Sequence, residues 1–175
     1  MSNWAQEVDS LGRSLAAIKF TKTCVTYCGA SCQLYSIADT LNSLAVAVGC
    51  NVDTTLHITD QDEMFELMKT NIGLNNLSGR VSASIYDWGQ PKPSGLPQYP
   101  DVILAADCVY FEPAFPLLQQ TLKDIIGPNT VCYFCFKRRR RADLTFMKTA
   151  GKIFDVQEVN DDPDKEIWSK ERLFL

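Results

Sequence analysis

The 175-residue sequence has one histidine, no second CxxC to pair with that of Cys132 and Cys135, and no long apolar run. Cys24, Cys28 and Cys32 stand four apart, but CxxxCxxxC is not a zinc spacing and His57 lies far along the chain, so no metal is expected. No stretch approaches the ~20 apolar residues that span a bilayer, and no signal peptide opens the chain; no membrane partner is expected. An excess of charge is also missing. The net charge of −4 gives no global drive toward nucleic acid. Seven cysteines, an odd count, are scattered and several sit inside apolar runs. That fits reduced thiols in a cytoplasmic compartment rather than a disulfide framework.

The sequence does contain enough apolar material for one sizeable domain: 46% hydrophobic and 22% charged residues. Its centre of organisation is Asp101-Val102-Ile103-Leu104-Ala105-Ala106-Asp107-Cys108-Val109-Tyr110. Five uninterrupted apolar residues suit a strand covered on both faces, as in a parallel sheet between helices. The carboxylate and phenol that follow belong at the strand's carboxyl end, where open α/β sheets bind ligands. The plain alternative is a core strand leading into a capped helix.

Along the chain, Trp4, Val8, Leu11, Leu15 and Ile18 have helical spacing. Lys22 to Cys28 reads as a strand, with Gly29-Ala30-Ser31 as its turn. Leu34 to Val48 reads as a helix stopped by Gly49. Thr55 to Thr59 is a short strand ending at Asp60, with His57 structural rather than catalytic. Met64, Phe65, Met68 and Ile72 form the buried stripe of the next helix. Arg80 to Tyr86 is a strand leading into Asp87-Trp88-Gly89, and Pro91 to Pro100 a proline-rich loop. A helix begins near Pro113 and buries Phe115, Leu118, Leu122 and Ile125. Thr130 to Phe136 is a second apolar strand, followed by the cations Lys137 to Arg141. Leu144, Met147 and Gly151 outline a helix, Phe154 and Val156 alternate with polar residues, and Trp168 with Leu173-Phe174-Leu175 suggests a last strand. Strands alternating with helices from 55 to 153 predict an α/β, Rossmann-like doubly wound sheet.

Three strand ends carry polar groups: Asp60, Asp87 with Trp88, and Asp107 with Tyr110. A carboxylate after the second strand suits a ribose diol, and an acid beside an indole after the third suits an adenine. A helix cap for Asp60, and a buried anchor under the loop for Trp88, are the plain alternatives.

In this order the residues resemble a family. Asp101 to Leu122 (DVILAADCVYFEPAFPLLQQTL) is similar to the region after strand four of the seven-β-strand methyltransferases that modify protein lysines. The strand end there reads D-x-x-Y, which Asp107 and Tyr110 match. His57 to Asp60, Asn71 to Leu77, Asp87-Trp88-Gly89, Cys132 to Asp143 and Asp161 to Asp164 follow suit, and the pattern most resembles the fungal branch that methylates elongation factor 1-alpha. The resemblance implies a seven-stranded sheet, S-adenosylmethionine (S-adenosyl-L-methionine) as cofactor, and a lysine of that translation factor as substrate. It implies Asp60 on the ribose, Asp87 and Trp88 on the adenine, Ala106 on the methionine side, and Asp107 and Tyr110 beside the lysine. It also implies a monomer whose partner is a protein.

The family's first strand ends E-L-G-x-G-x-G. This chain has Thr26 to Cys32 there, with one glycine and no acid, so Gly29 and Ala30 are the candidates for a degenerate loop. Residues 1–42 are expected to form an atypical N-terminal segment joined to a methyltransferase-like domain at 43–175. The departure leaves a second function open, a catalytically impaired module that binds a protein. The run Lys137 to Arg141 reads first as a solvated loop; contact with RNA, or steering of an acidic patch on the partner, are its alternatives.

Overall fold

The computed structural model describes residues 32–37, 40–49, 54–159, 165–170 and 173–174. In these the elements are β1 (Leu34–Ile37), α1 (Thr40–Gly49), β2 (Leu56–Asp60), α2 (Phe65–Leu74), β3 (Val81–Ile85) and β4 (Val102–Ala106). Then come α3 (Phe115–Ile125), β5 (Val131–Lys137), α4 (Arg141–Ala150), α5 (Lys165–Lys170) and β6 (Leu173–Phe174). The sheet order is β3-β2-β1-β4-β5-β6. The first five strands in that order are parallel, and β6 runs antiparallel on β5.

Two apolar clusters follow directly from side-chain alternation along the strands. In β1 and β4, Leu34, Val102 and Leu104 face one side, with Leu44 and Val46 of α1 and Met68 and Ile72 of α2. Tyr35, Ile37, Ile103 and Ala105 face the other, with Leu118, Leu122 and Ile125 of α3 and Phe146 of α4. A strand covered twice must be apolar at every position, so the unbroken run in β4 is the mark of the sheet's centre. Phe146 ties α4 to both neighbours, its ring 5.1 Å from Phe115 and 5.7 Å from Phe134.

The structure corrects the expected helix at Leu34. Leu34 to Ile37 is instead a central strand, all four residues buried, paired with β2 on one side and β4 on the other. Ile37 and Leu41 have helical spacing, but two sets of interstrand hydrogen bonds outweigh that local preference. The helix starts at Thr40. The strand expected at Lys22 to Cys28, its Gly29-Ala30-Ser31 turn and the helix expected near residues 4–18 lie outside the described residues. The connection from β3 to β4 is a loop with no helix in it, as its prolines predict. Lys92 ties it, its Nζ donating to the carbonyls of Leu96 (3.1 Å) and Pro97 (3.0 Å), with Leu96 buried. Two later elements differ. Residues 155–159 form no strand; β5 is paired at Phe136 and Lys137 by β6. Trp168 belongs to α5, and among the described residues the last strand is Leu173–Phe174.

Candidate functional site

Parallel pairing puts the carboxyl ends of β1, β2, β3, β4 and β5 along one edge of the sheet, with Asp60 opposite Ile85 and Ala106 opposite Cys135. The strand order reverses between β1 and β4, the position where such sheets open a crevice. The polar strand ends therefore converge on it.

Asp60 closes β2 half-buried. Its carboxylate accepts the Gln61 N–H at 2.8 Å, and its carbonyl accepts the Tyr86 N–H at 2.9 Å. Burial raises its pKa above the ordinary 3.8; the Gln61 hydrogen bond opposes this, and the charge of Asp87 adds to it. The helix-cap alternative fails, since the 3-10 turn that follows has Gln61 at its N-cap and no side-chain cap bond. Asp87 is exposed after β3, and Trp88 beside it is half-buried against the cluster under α3. Gly89 fixes that corner. Its φ is +80°, a Cβ there would lie 2.7 Å from Leu117 Cδ2, and its N–H donates to Thr121 Oγ1 at 2.9 Å.

The turn after β4 has an unusual backbone. The Asp107 N–H still donates to the Cys135 carbonyl at 2.9 Å, but its φ is +52°. Aspartate is among the few non-glycine residues that tolerate this region, at a cost of ~1–3 kcal/mol typical of functional sites. The reversal sends Cys108 inward, its Sγ 3.6 Å from the Ile37 carbonyl, and buries Val109. Asp107 and Tyr110 remain outside, Tyr110 with 57% of its surface exposed. Partial desolvation on its inner side, and then the charges of Asp60, Cys108 and Asp107, hold the Tyr110 phenol above its ordinary value of 10.0. One tyrosine thus feels acids from both sides of the crevice. Ala106 ends β4 half-buried beside them.

The basic run behaves differently from a solvated loop. Arg139 grips Asp107 with both guanidinium arms, Nη1 to Oδ1 at 2.9 Å and Nη2 to Oδ2 at 3.2 Å. Arg140 donates to the Tyr110 carbonyl. Behind them Asp143, fully buried, accepts the backbone N–H of Arg139 and of Arg140, each at 2.8 Å. The sequence reading missed Arg139 and Asp143. The available signal was the acid three residues after Arg140, the N3 position of a helix that starts at Arg141.

At the first strand end the fit to a cofactor is incomplete. Only Ala38 and Asp39 separate β1 from α1, and no glycine occurs between Gly29 and Gly49. Gly29 and Ala30, the sequence candidates for the loop, lie outside the described residues. The residues after β2 and β3 do suit a nucleoside: a half-buried carboxylate, then an acid beside an indole face.

A family model described as lysine methyltransferase matches residues 29–153. Protein-lysine N-methyltransferase EFM6 of Saccharomyces cerevisiae is 39% identical over 133 residues, 70% of this chain and 54% of that protein. Protein N-lysine methyltransferase METTL21A of Danio rerio is 34% identical, over 71% of this chain and 56% of that protein. EEF1A lysine methyltransferase 3 of Mus musculus is 31% identical, over 63% and 48% respectively. The chain spans about half the length of the curated relatives it matches. Among solved structures, a candidate methyltransferase from Pseudomonas syringae superposes with a TM-score of 0.60 at 11% identity, covering 92% of this chain and 94% of that one. An O-methyltransferase family 2 protein from Planctomyces limnophilus gives 0.55 at 11% identity, over 83% and 57%. At such identity these structures establish the Rossmann-like methyltransferase fold and nothing finer. Sequence and fold together make the chain a member of the lysine methyltransferase family.

Proposed function

We propose that the chain is an S-adenosylmethionine-dependent protein-lysine N-methyltransferase, with elongation factor 1-alpha as its protein substrate, working as a monomer in the cytoplasm. The observation that carries this reading is the gathering of Asp60, Asp87, Asp107 and Tyr110 along one rim, at and after the carboxyl ends of the parallel strands β2, β3 and β4. The named relatives support the lysine, and the mouse relative's name supports the translation factor. Cys32 and Cys108 are buried among apolar neighbours, where a thiol packs as a small hydrophobe, in keeping with a reducing compartment. No helix among the described residues is long and apolar enough to cross a membrane.

On this reading Asp60 holds the ribose diol, Asp87 and Trp88 the adenine, and Ala106 borders the methionine side, with Gly29 and Ala30 as the loop candidates. When bound, S-adenosylmethionine supplies an electrophilic methyl group on a sulfonium. Asp107 draws in the lysine ammonium, whose proton must pass to that carboxylate or to water before the nitrogen can attack. Tyr110, its pKa raised, stays protonated near neutral pH, so it offers a hydrogen bond and a ring face rather than a base. Holding the amine in line supplies much of the rate, and no covalent intermediate is needed.

Incubation of the purified chain with tritiated S-adenosylmethionine and elongation factor 1-alpha tests the proposal. Label is expected on a lysine of the factor, and Asp107→Asn is expected to remove it. The glycine-free connection after β1 favours one other reading, an impaired module that binds a protein without chemistry. Absence of label, together with no heat on titrating millimolar S-adenosylmethionine, would select that module instead.

A further inference from the structure

Asp107 is the acid placed to receive a substrate cation, and in this structure a cation is already on it. The two-armed contact from Arg139, 2.9 and 3.2 Å, uses both carboxylate oxygens. It is also held from behind. The Asp143 carboxylate fixes the backbone of Arg139 and Arg140, and the Arg140 guanidinium fastens the same turn to the Tyr110 carbonyl. The connection after β5 is therefore stapled across the turn after β4, with one arginine aimed at the acid and the next at the backbone three residues on.

We propose that Arg139 occupies the ammonium seat on Asp107 in the free protein, so that an incoming primary amine binds only by displacing it. Arg139 is then a positioning and specificity-determining residue, one that selects amines presented with enough additional binding energy to open the pair. The biological meaning of this latch, restraint of methylation at exposed lysines in general, rests on the methyl-transfer reading; the occupancy itself does not. The physical balance favours a displaceable latch. Arg139 and Asp107 keep 35% and 45% of their side-chain surface exposed, and exposed pairs of this kind are weak enough to break, worth roughly two- to fivefold in an equilibrium. A planar guanidinium matches a carboxylate with two parallel hydrogen bonds, whereas an ammonium offers a point charge, so the resident holds its place until a tethered lysine arrives. Arg139 also borders an open depression lined by Arg138, Arg140, Arg141 and Leu144, so a displaced guanidinium meets solvent and like charge rather than a second acid that would hold it away from Asp107.

The test uses n-butylammonium as a lysine head, titrated into the full chain while the backbone amides of Asp107 to Tyr110 are followed by NMR. Arg139→Gln is expected to tighten binding about two- to fivefold, Arg139→Lys to change it less, and Asp107→Asn in the Arg139→Gln background to abolish the gain. Arg141→Gln removes the same charge from the exposed start of α4 without vacating Asp107, and is expected to change affinity less than Arg139→Gln. Equal or weaker binding in Arg139→Gln overturns the proposal, and so does an equal gain in Arg141→Gln, which would show a general field effect. With short lysine peptides as substrate, Arg139→Gln is expected to lower KM while leaving kcat within about twofold. The two proposals separate cleanly. Tighter butylammonium binding without any affinity for S-adenosylmethionine sinks the methyl-transfer reading and keeps the latch. Cofactor binding with an unchanged amine affinity does the reverse.

Discussion

The Asp143 carboxylate receives the Arg140 backbone N–H at 2.8 Å from inside the first turn of α4, and it does so with no exposed surface of its own. The same Oδ2 receives the Arg139 N–H, so one buried acid shapes the whole entry to the helix. A charge is tolerated there because its hydrogen bonds are charge-assisted and it sits at the positive end of the helix.

Asp143→Ala is therefore expected to destabilise the fold, by about 1–3 kcal/mol for each N–H left without an acceptor. Asp143→Asn keeps an acceptor oxygen and is expected to cost less. Urea denaturation of the two variants against the parent chain measures the order; equal loss in both would show that the charge, not the acceptor, matters.

At the other side of the crevice, Asp60→Ala is expected to weaken S-adenosylmethionine binding by about tenfold or more, since hydrogen bonds to a charged group contribute ~1.5–3 kcal/mol. Asp60→Asn is expected to retain part of the affinity. Isothermal titration reads both, and an unchanged dissociation constant in Asp60→Ala would remove this residue from the nucleoside site.

Gly89→Ala is expected to destabilise the protein by about 1–3 kcal/mol, because a left-handed φ of +80° and a Cβ 2.7 Å from Leu117 are both imposed. Trp88 stands next to the strained position, so its fluorescence maximum should shift in the native state. Thermal melting and emission spectra together distinguish local strain from a general loss of stability.

His57 lies in β2 between Tyr35 and Ser82, and burial lowers its pKa below the ordinary 6.5. The unfolded chain then binds a proton at a pH where the folded chain does not, so stability falls as pH drops through and below 6.5. The melting temperature is expected to decrease between pH 7.5 and 5.5, and His57→Gln to flatten that decrease. A slope of opposite sign would mean that a carboxylate with a raised pKa, such as Asp60, dominates.

The residue order by itself determined β4, α3 and the acids at the strand ends, because a strand covered on both faces must be apolar throughout and Phe115, Leu118, Leu122 and Ile125 repeat at helical spacing. It also carried the family, through Asp107 and Tyr110 at fixed distance. Only the tertiary structure decided that Leu34 to Ile37 is the central strand, since four residues say little until strands on both sides bond to them. The same holds for Arg139: five consecutive cations look alike in one dimension, and which of them reaches Asp107, 32 residues earlier in the chain, is set by where β4 and β5 end beside one another and by the buried carboxylate that turns the backbone there.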